Sequence, residues 1–289
     1  MNAGGIGGPA LMMLAVLVFV VQDAVVKWLV GSYGVLQIVA MRTLVSLAVI
    51  AAAAWWVGPR GPRGLRTRRP WMHLLRGVLL FTSSATFFYG FRYLPLADAY
   101  TIFYLVPLAM TVLAAATLGE RIPRRAVVAV ALGMAGVGIV VGPDLGGGAA
   151  LAYAACMLGT LSYGFVGVIT RQMSADETPL ALIFYPCLAI VLGTLPVAML
   201  DWTPPALADL ALVSLVGLLW PLAHMAFAAA LRRAPIARLA PLEYSSILWV
   251  VIVDLAVFGI APEASTLIGS AVIIAACLTL VERGARRAA

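Results

Sequence analysis

Ten apolar runs follow one another along the chain, at about residues 9–31, 34–57, 72–92, 96–118, 125–142, 149–173, 179–200, 207–231, 237–259 and 264–282. Most are close to the ~20 residues that carry a helix across a bilayer. They are continuous rather than alternating with period two, which selects helices over barrel strands. The chain is 63% hydrophobic and 11% charged, with mean hydropathy +1.05. A water-soluble domain is nearer half apolar and a quarter charged, so this one needs lipid as its solvent. The connections are short and hold Pro, Gly or charge, as at Gly58-Pro59, Pro143-Asp144 and Thr203-Pro204-Pro205. The first run has no basic residues before it, exceeds the length of a signal core, and contains Asp23 and Lys27. It is expected to stay as a helix rather than be cleaved.

The runs form two sets of five that align with each other. Pro95, Leu96 and Ala97 answer to Pro235, Ile236 and Ala237, 140 positions on, as Tyr104 does to Tyr244 and Gly119 to Gly259. Earlier in each half the offset is 144, with Lys27 answering to Arg171 and Leu36 to Leu180. Five is odd, so if every run crosses a membrane the second set starts from the opposite face. The expected fold is an all-α integral membrane protein of ten transmembrane helices. They form two inverted five-helix repeats, residues 1–143 and 149–283, around a central cavity, with a tail at 284–289. Inverted repeats are typical of transporters.

The net charge of +7 comes from 19 basic residues against 12 acidic. With the N-terminus in the cytoplasm, the inward connections hold Arg60, Arg63, Arg66, Arg68, Arg69, Arg121, Arg124, Arg125, Arg171, Arg232, Arg233 and Arg238. Asp144, Asp201, Asp209 and Glu263 then lie near the outer side. The positive-inside rule places both termini in the cytoplasm. Orientation explains the arginines, so nucleic acid is not an expected partner. Cys156, Cys187 and Cys277 stand alone inside apolar runs, and His73 and His224 are far apart in sequence. Neither a disulfide, a metal site nor a cofactor is expected. The sequence lacks a Gly-x-x-x-x-Gly-Lys-Ser/Thr loop, a Gly-x-Ser-x-Gly elbow and a His-Glu-x-x-His helix. ATP is therefore not expected to drive the protein directly, and it is not expected to be an enzyme.

Several local patterns carry a family resemblance. The first run ends Phe19-Val20-Val21-Gln22-Asp23-Ala24-Val25-Val26-Lys27, and the second holds Ala40-Met41-Arg42. The fourth begins Tyr93-Leu94-Pro95-Leu96-Ala97-Asp98-Ala99 and runs through Pro107 to Leu118-Gly119-Glu120-Arg121; the fifth holds Ala129, Gly133 and Gly136. The chain resembles the drug/metabolite transporter superfamily in its ten-helix, two-repeat (EamA-like) form. Within it, the chain is similar to bacterial aromatic amino-acid and drug exporters. The second half departs from the pattern: Ile260 stands opposite Glu120, and Pro186 opposite Arg42. The resemblance implies a central cavity, alternating access and small-metabolite substrates. Aromatic or other apolar amino acids are the leading substrates, with organic cations or drugs as the alternative.

An ionised group inside an apolar run costs on the order of 3 kcal/mol by insertion scales, so it should face the interior, a partner or water. Asp23 and Lys27 share one helix face. With Arg42 they form either an ionic gate at the outer vestibule or a structural pair fixing the first two helices. Glu243 is either a proton-coupling carboxylate or an acid paired with Arg238 or Arg232. Asp254 is read as interfacial. Stripes of hydroxyls and rings mark candidate cavity walls: Thr82, Thr86 and Tyr89; Tyr100, Phe103 and Tyr104; Tyr163; Trp220 and His224; and Tyr244. Pro107 and Pro221 fall mid-run, as hinges or as bends for packing. Gly133, Gly136, Gly138, Gly269 and Ala276 mark either internal helix seams or the face of a homodimer.

Overall fold

The computed structural model describes residues 7–56, 65–118, 124–142, 148–173, 176–233, 239 and 242–288. Its helices are α1 (Gly8–Leu29), α2 (Val35–Trp56), α3 (Pro70–Tyr93), α4 (Leu96–Phe103), α5 (Val106–Leu118), α6 (Arg124–Val141), α7 (Ala149–Met173), α8 (Pro179–Ala198), α9 (Leu207–Arg233), α10 (Ser246–Ala256) and α11 (Ala264–Ala288). No strand occurs among the described residues. Seven helical stretches are long and apolar enough to cross a membrane, α4 and α5 counting as one. Three shorter apolar helices, at Ala126–Val141, Ser246–Ala256 and Ala264–Leu278, account for the remaining runs. Gly119-Glu120-Arg121, Pro235-Ile236-Ala237 and Arg238 lie outside the described residues.

α3 packs on α7, α1 on α9, α6 on α11, α2 on α8, and α4 on α10. Exchanging the first five runs with the last five maps this set of contacts onto itself: the α3–α7 contact becomes α9–α1, and the other three pairs map onto themselves. Large apolar side chains such as Leu14, Leu192, Leu222, Met225 and Leu248 point outward, which suits a surface solvated by lipid. Trp55, Trp71, Trp202 and Tyr93 are exposed at or near helix ends, as interfacial aromatics should be.

Matching runs in the two halves are broken at matching places by different chemistry. In the first half α4 stops at Phe103 and α5 starts at Val106. Pro107 has no N–H for the Phe103 carbonyl, so the ladder lapses there. In the second half the turn falls at Tyr244 and Ser245, before α10. Residue 247 is isoleucine, not proline, and two serines take the carbonyls instead. Ser245 Oγ donates to Leu242 O at 2.6 Å, and Ser246 Oγ to Glu243 O at 2.8 Å.

Pro221 behaves differently: α9 continues through it. The carbonyl it deprives is that of Gly217, and Ser46 Oγ of α2 donates to that oxygen at 2.7 Å. A Cβ at Gly217 would lie 2.7 Å from Arg42 O, so the missing side chain is what lets α2 and α9 meet. The small residues of α6 and α11 form an internal seam. A Cβ at Gly136 would come within 3.0 Å of Gly269 O, and one at Gly269 within 2.7 Å of Gly136 O. Gly138 has nothing within 4 Å of its would-be Cβ. Gly269→Leu should therefore overpack the seam by about 1–3 kcal/mol and lower the melting temperature in detergent, while Gly138→Leu leaves it unchanged. Equal melting of the two variants would refute this seam.

Candidate functional site

The two helix breaks meet. The Tyr104 and Tyr244 rings stand 5.3 Å apart, edge to face. Tyr104 Oη and Ser246 Oγ are 2.6 Å apart, and Cys277 Sγ donates to Tyr104 O at 3.2 Å. Around this junction the bundle holds four charged side chains. Asp23 of α1 accepts from Tyr100 Oη at 2.8 Å and from Gln22 Nε2 at 3.3 Å. Arg42 of α2 is 6% exposed. It donates through Nη2 to Ser84 Oγ at 2.7 Å, and its guanidinium lies 4.7 Å from the centre of the Phe88 ring. Its Nε is buried without a partner. Arg42 is within electrostatic range of Asp23, yet among the described residues it makes no ion pair within 4.0 Å.

Arg76 of α3 is 5% exposed. Its Nε donates to Thr170 Oγ1 at 3.1 Å and its Nη1 to Leu182 O at 2.7 Å. Both acceptors are neutral. Glu243 has no hydrogen bond or ion pair through its carboxylate among the described residues. Arg238 and the Arg232 side chain, its expected partners, lie outside them. His224 Nδ1 is 2.9 Å from Trp220 O, and its ring meets Trp220 at 4.2 Å and Phe19 edge-on at 5.0 Å. Phe103 packs on Tyr163 and Phe87, at 5.2 and 5.3 Å. Asp23, Tyr163, His224 and Glu243 keep accessible surface although protein atoms enclose them. The surface they expose is therefore interior surface.

At the end opposite the arginine-rich connections, Asp254 of α10 is 1% exposed rather than interfacial. Pro95 caps α4 without a side-chain hydrogen bond, which leaves the first amides of α4 orphaned. Asp254 accepts from Leu96 N at 3.2 Å and from Ala97 N at 2.9 Å, a carboxylate placed at a helix N-terminus. Lys27 completes the group, 3.4 Å from Asp254 Oδ1 and donating to Leu94 O at 2.8 Å. Lys27 thus pairs with Asp254, not with Asp23. Further along α4, Asp98 accepts from Tyr153 and Thr266, each at 2.6 Å.

The arginine-rich end is tied across the two halves. Glu177, in the α7–α8 connection, accepts from Thr67 Oγ1 at 2.9 Å and Arg68 N at 3.0 Å, and lies 3.5 Å from His73 Nε2. Burial alone would push its carboxyl up. The bonds from Arg68 and Thr67, with His73 alongside, outweigh burial and hold it below the usual carboxylate range. Arg69 pairs with Asp176 at 2.5 Å, and Tyr185 Oη donates to Leu65 O at 2.7 Å.

The chain matches the EamA-like transporter family twice, over residues 6–142 and again over 150–281. It belongs to that family. The S-adenosylmethionine uptake transporter of Rickettsia prowazekii is 27% identical over 222 residues, 76% of this chain and 75% of that one. The pseudopaline exporter of Pseudomonas aeruginosa is 25% identical over 274 residues, 94% and 95% of the two chains. A riboflavin transporter of Rhizobium johnstonii is 26% identical over 296 residues, 97% and 92%. One solved crystal structure shares the fold with TM-score 0.67 at 21% identity, covering 96% of this chain and 98% of its own. Family and relatives are transporters rather than enzymes, as the motif search expects.

Within this family member the candidate residues separate into groups. Asp23 meets Tyr100, Phe103 meets Tyr163, Tyr104 meets Tyr244 beside Glu243, and Trp220 meets His224, with Arg42 in electrostatic range of Asp23. Thr82 and Thr86 instead bond carbonyls of their own helix, at 2.9 and 2.8 Å, and Tyr89 stacks on Tyr93 at 5.0 Å. Sequence reading missed Arg76 and Ser84. Arg76 carries the same signal as Arg42, a cation within an apolar run, at 72–92. Removing one partner of a buried pair costs on the order of 3–5 kcal/mol. Asp254→Ala should lose about that much by denaturant titration, and adding Lys27→Ala should recover part of the loss. Additive losses in the double variant would show that Lys27 does not depend on Asp254.

Proposed function

We propose that the chain is a secondary transporter that carries small organic solutes with an amino-acid-like head group by alternating access. Ten helices in two inverted five-helix repeats enclose the chamber, and both termini lie in the cytoplasm of a bacterial cell whose inner membrane holds the protein. The repeat reading is supported by the double family match, by contacts that survive exchange of the halves, and by the matched breaks at Tyr104 and Tyr244. The orientation is supported by the arginine distribution.

One observation carries the substrate class. Arg42 and Asp23 stand on neighbouring runs within electrostatic range, but each is held by neutral groups rather than by the other. A buried guanidinium without a counter-ion is costly, and a planar carboxylate is the ligand it fits best. A solute with both a carboxylate and an ammonium satisfies Arg42 and Asp23 together. The aromatic walls, Tyr163, Phe103, Trp220 and His224, suit an apolar or ring-bearing side group. Aromatic and apolar amino acids meet this description. So does S-adenosylmethionine, the solute named for the rickettsial relatives, which bears an amino-acid head group and an aromatic base. An organic cation lacking a carboxylate would confront Arg42 unpaired and is the less favoured cargo. The relatives' names include both uptake and export, so export is assigned here from the sequence resemblance alone.

The test is counterflow in proteoliposomes with labelled L-tryptophan, L-phenylalanine, S-adenosylmethionine, riboflavin and tryptamine. At least one zwitterion should accumulate, and Arg42→Ala should abolish its accumulation while melting near the wild-type temperature. Accumulation of tryptamine alone would defeat the zwitterion reading. Loss of folded protein in Arg42→Ala would make Arg42 structural.

A further inference from the structure

Arg76 stands apart from every role assigned above. It lies on the interior face of α3, with Gly77, Ser83 and Phe87 among its buried neighbours on that helix. Two of its five N–H donors go to Thr170 and to Leu182 O, which bear no charge. Among the described residues no carboxylate lies at ion-pair distance from it. The acids nearest in the chain pattern are engaged elsewhere: Glu177 with Thr67 and Arg68, and Asp176 with Arg69.

Its surroundings place it on the same interior space as Arg42. Both guanidinium groups lie within electrostatic range of Cys187 on α8 and His224 on α9. Tyr163 lies within electrostatic range of both Arg76 and Glu243. The two arginines sit at different depths. Arg76 is six positions after Pro70, at the arginine-rich end of α3; Arg42 is seven positions after Val35, at the opposite end of α2. At ~1.5 Å per residue each is roughly 10 Å from its own end of the bundle. A span of ~30 Å then separates them by about 10 Å along the axis. The interior therefore offers two buried cations in series, Arg42 and Arg76.

We propose that Arg76 is a second carboxylate-binding position, which holds the solute's anionic group when the chamber opens to the arginine-rich face, as Arg42 does when it opens to the other. The inference rests on the zwitterion reading above. Arg76 is a substrate-positioning residue: it makes a guanidinium available where the solute enters or leaves, so that the carboxylate is never carried through the apolar bundle without a partner. Its bonds to Thr170 of α7 and Leu182 of α8 hold the fork in place.

The experiment measures KM from each face separately, in proteoliposomes of known protein orientation, with labelled L-tryptophan and S-adenosylmethionine as probes. Arg76→Gln should raise KM at the arginine-rich face about tenfold or more, as loss of a charged hydrogen bond does. KM at the opposite face should stay within about twofold of wild type by the same measure. Arg76→Lys, which keeps the charge, should restore much of the difference, and both variants should melt near wild type. Equal KM changes at both faces, or no change at either, overturn the proposal while leaving the zwitterion reading intact. A purely bracing role for Arg76 would give lower melting in Arg76→Gln with unshifted KM, and that too overturns it. If wild-type protein transports neither probe, the zwitterion reading falls and this proposal falls with it.

Discussion

A guanidinium inside an apolar bundle demands a partner, and Arg42 has none of opposite charge at ion-pair distance among the described residues. Ser84 takes one donor, the face of Phe88 receives the cation, and Nε is left buried and unbonded. Cation–π contact and one hydrogen bond to a hydroxyl recover about 2–5 kcal/mol between them. Several kcal/mol of desolvation per ion stand against that. The protein leaves the balance open at a place where a solute can close it. Asp23, within electrostatic range of Arg42, accepts from a tyrosine hydroxyl and an amide.

Among the described residues the buried carboxylates are each hydrogen-bonded, which makes the buried arginines without a counter-ion informative. Asp254 satisfies two orphan amides and Lys27 at once. Asp98 takes two hydroxyls, and Glu177 takes a hydroxyl and an amide from across the halves. These groups sit toward the two ends of the bundle and tie helices of different runs together. Among the described residues the buried cations without an ion pair are Arg42 and Arg76. Ends tied by bonds that can part, around cations free to take a ligand, suit the alternating-access cycle proposed above.

Much of the fold was legible in the sequence. Run length and continuity yield the helices, and the offset of 140 aligns Tyr104 with Tyr244, though that the chain breaks at both is seen only in the structure. The site was legible in kind but not in pairing. Asp23 and Lys27 share a helix face, which suggests a local pair, yet Lys27 reaches 227 positions along the chain to Asp254. Only tertiary contact decides such a choice. Pro221 reads as a hinge or a packing bend, and the structure shows how its helix continues: a serine on α2 supplies the missing donor. Asp254 reads as interfacial by position, because nothing in the sequence announces that α4 starts on a proline with no capping side chain of its own. The small residues on α6 and α11 left a choice between a seam and a dimer face. The backbone approach of Gly136 to Gly269 makes those two a seam.

The central claim is that Arg42 waits for a carboxylate that the solute brings. A double-variant binding cycle tests it directly, by calorimetry on purified protein in nanodiscs. L-tryptophan and tryptamine, which lacks the carboxylate, are each titrated into wild type and Arg42→Gln. The account predicts that loss of the carboxylate weakens binding to wild type about tenfold or more and makes little further difference once Arg42 is gone. If tryptophan does not bind, or if the carboxylate matters as much to Arg42→Gln as to wild type, the account is wrong.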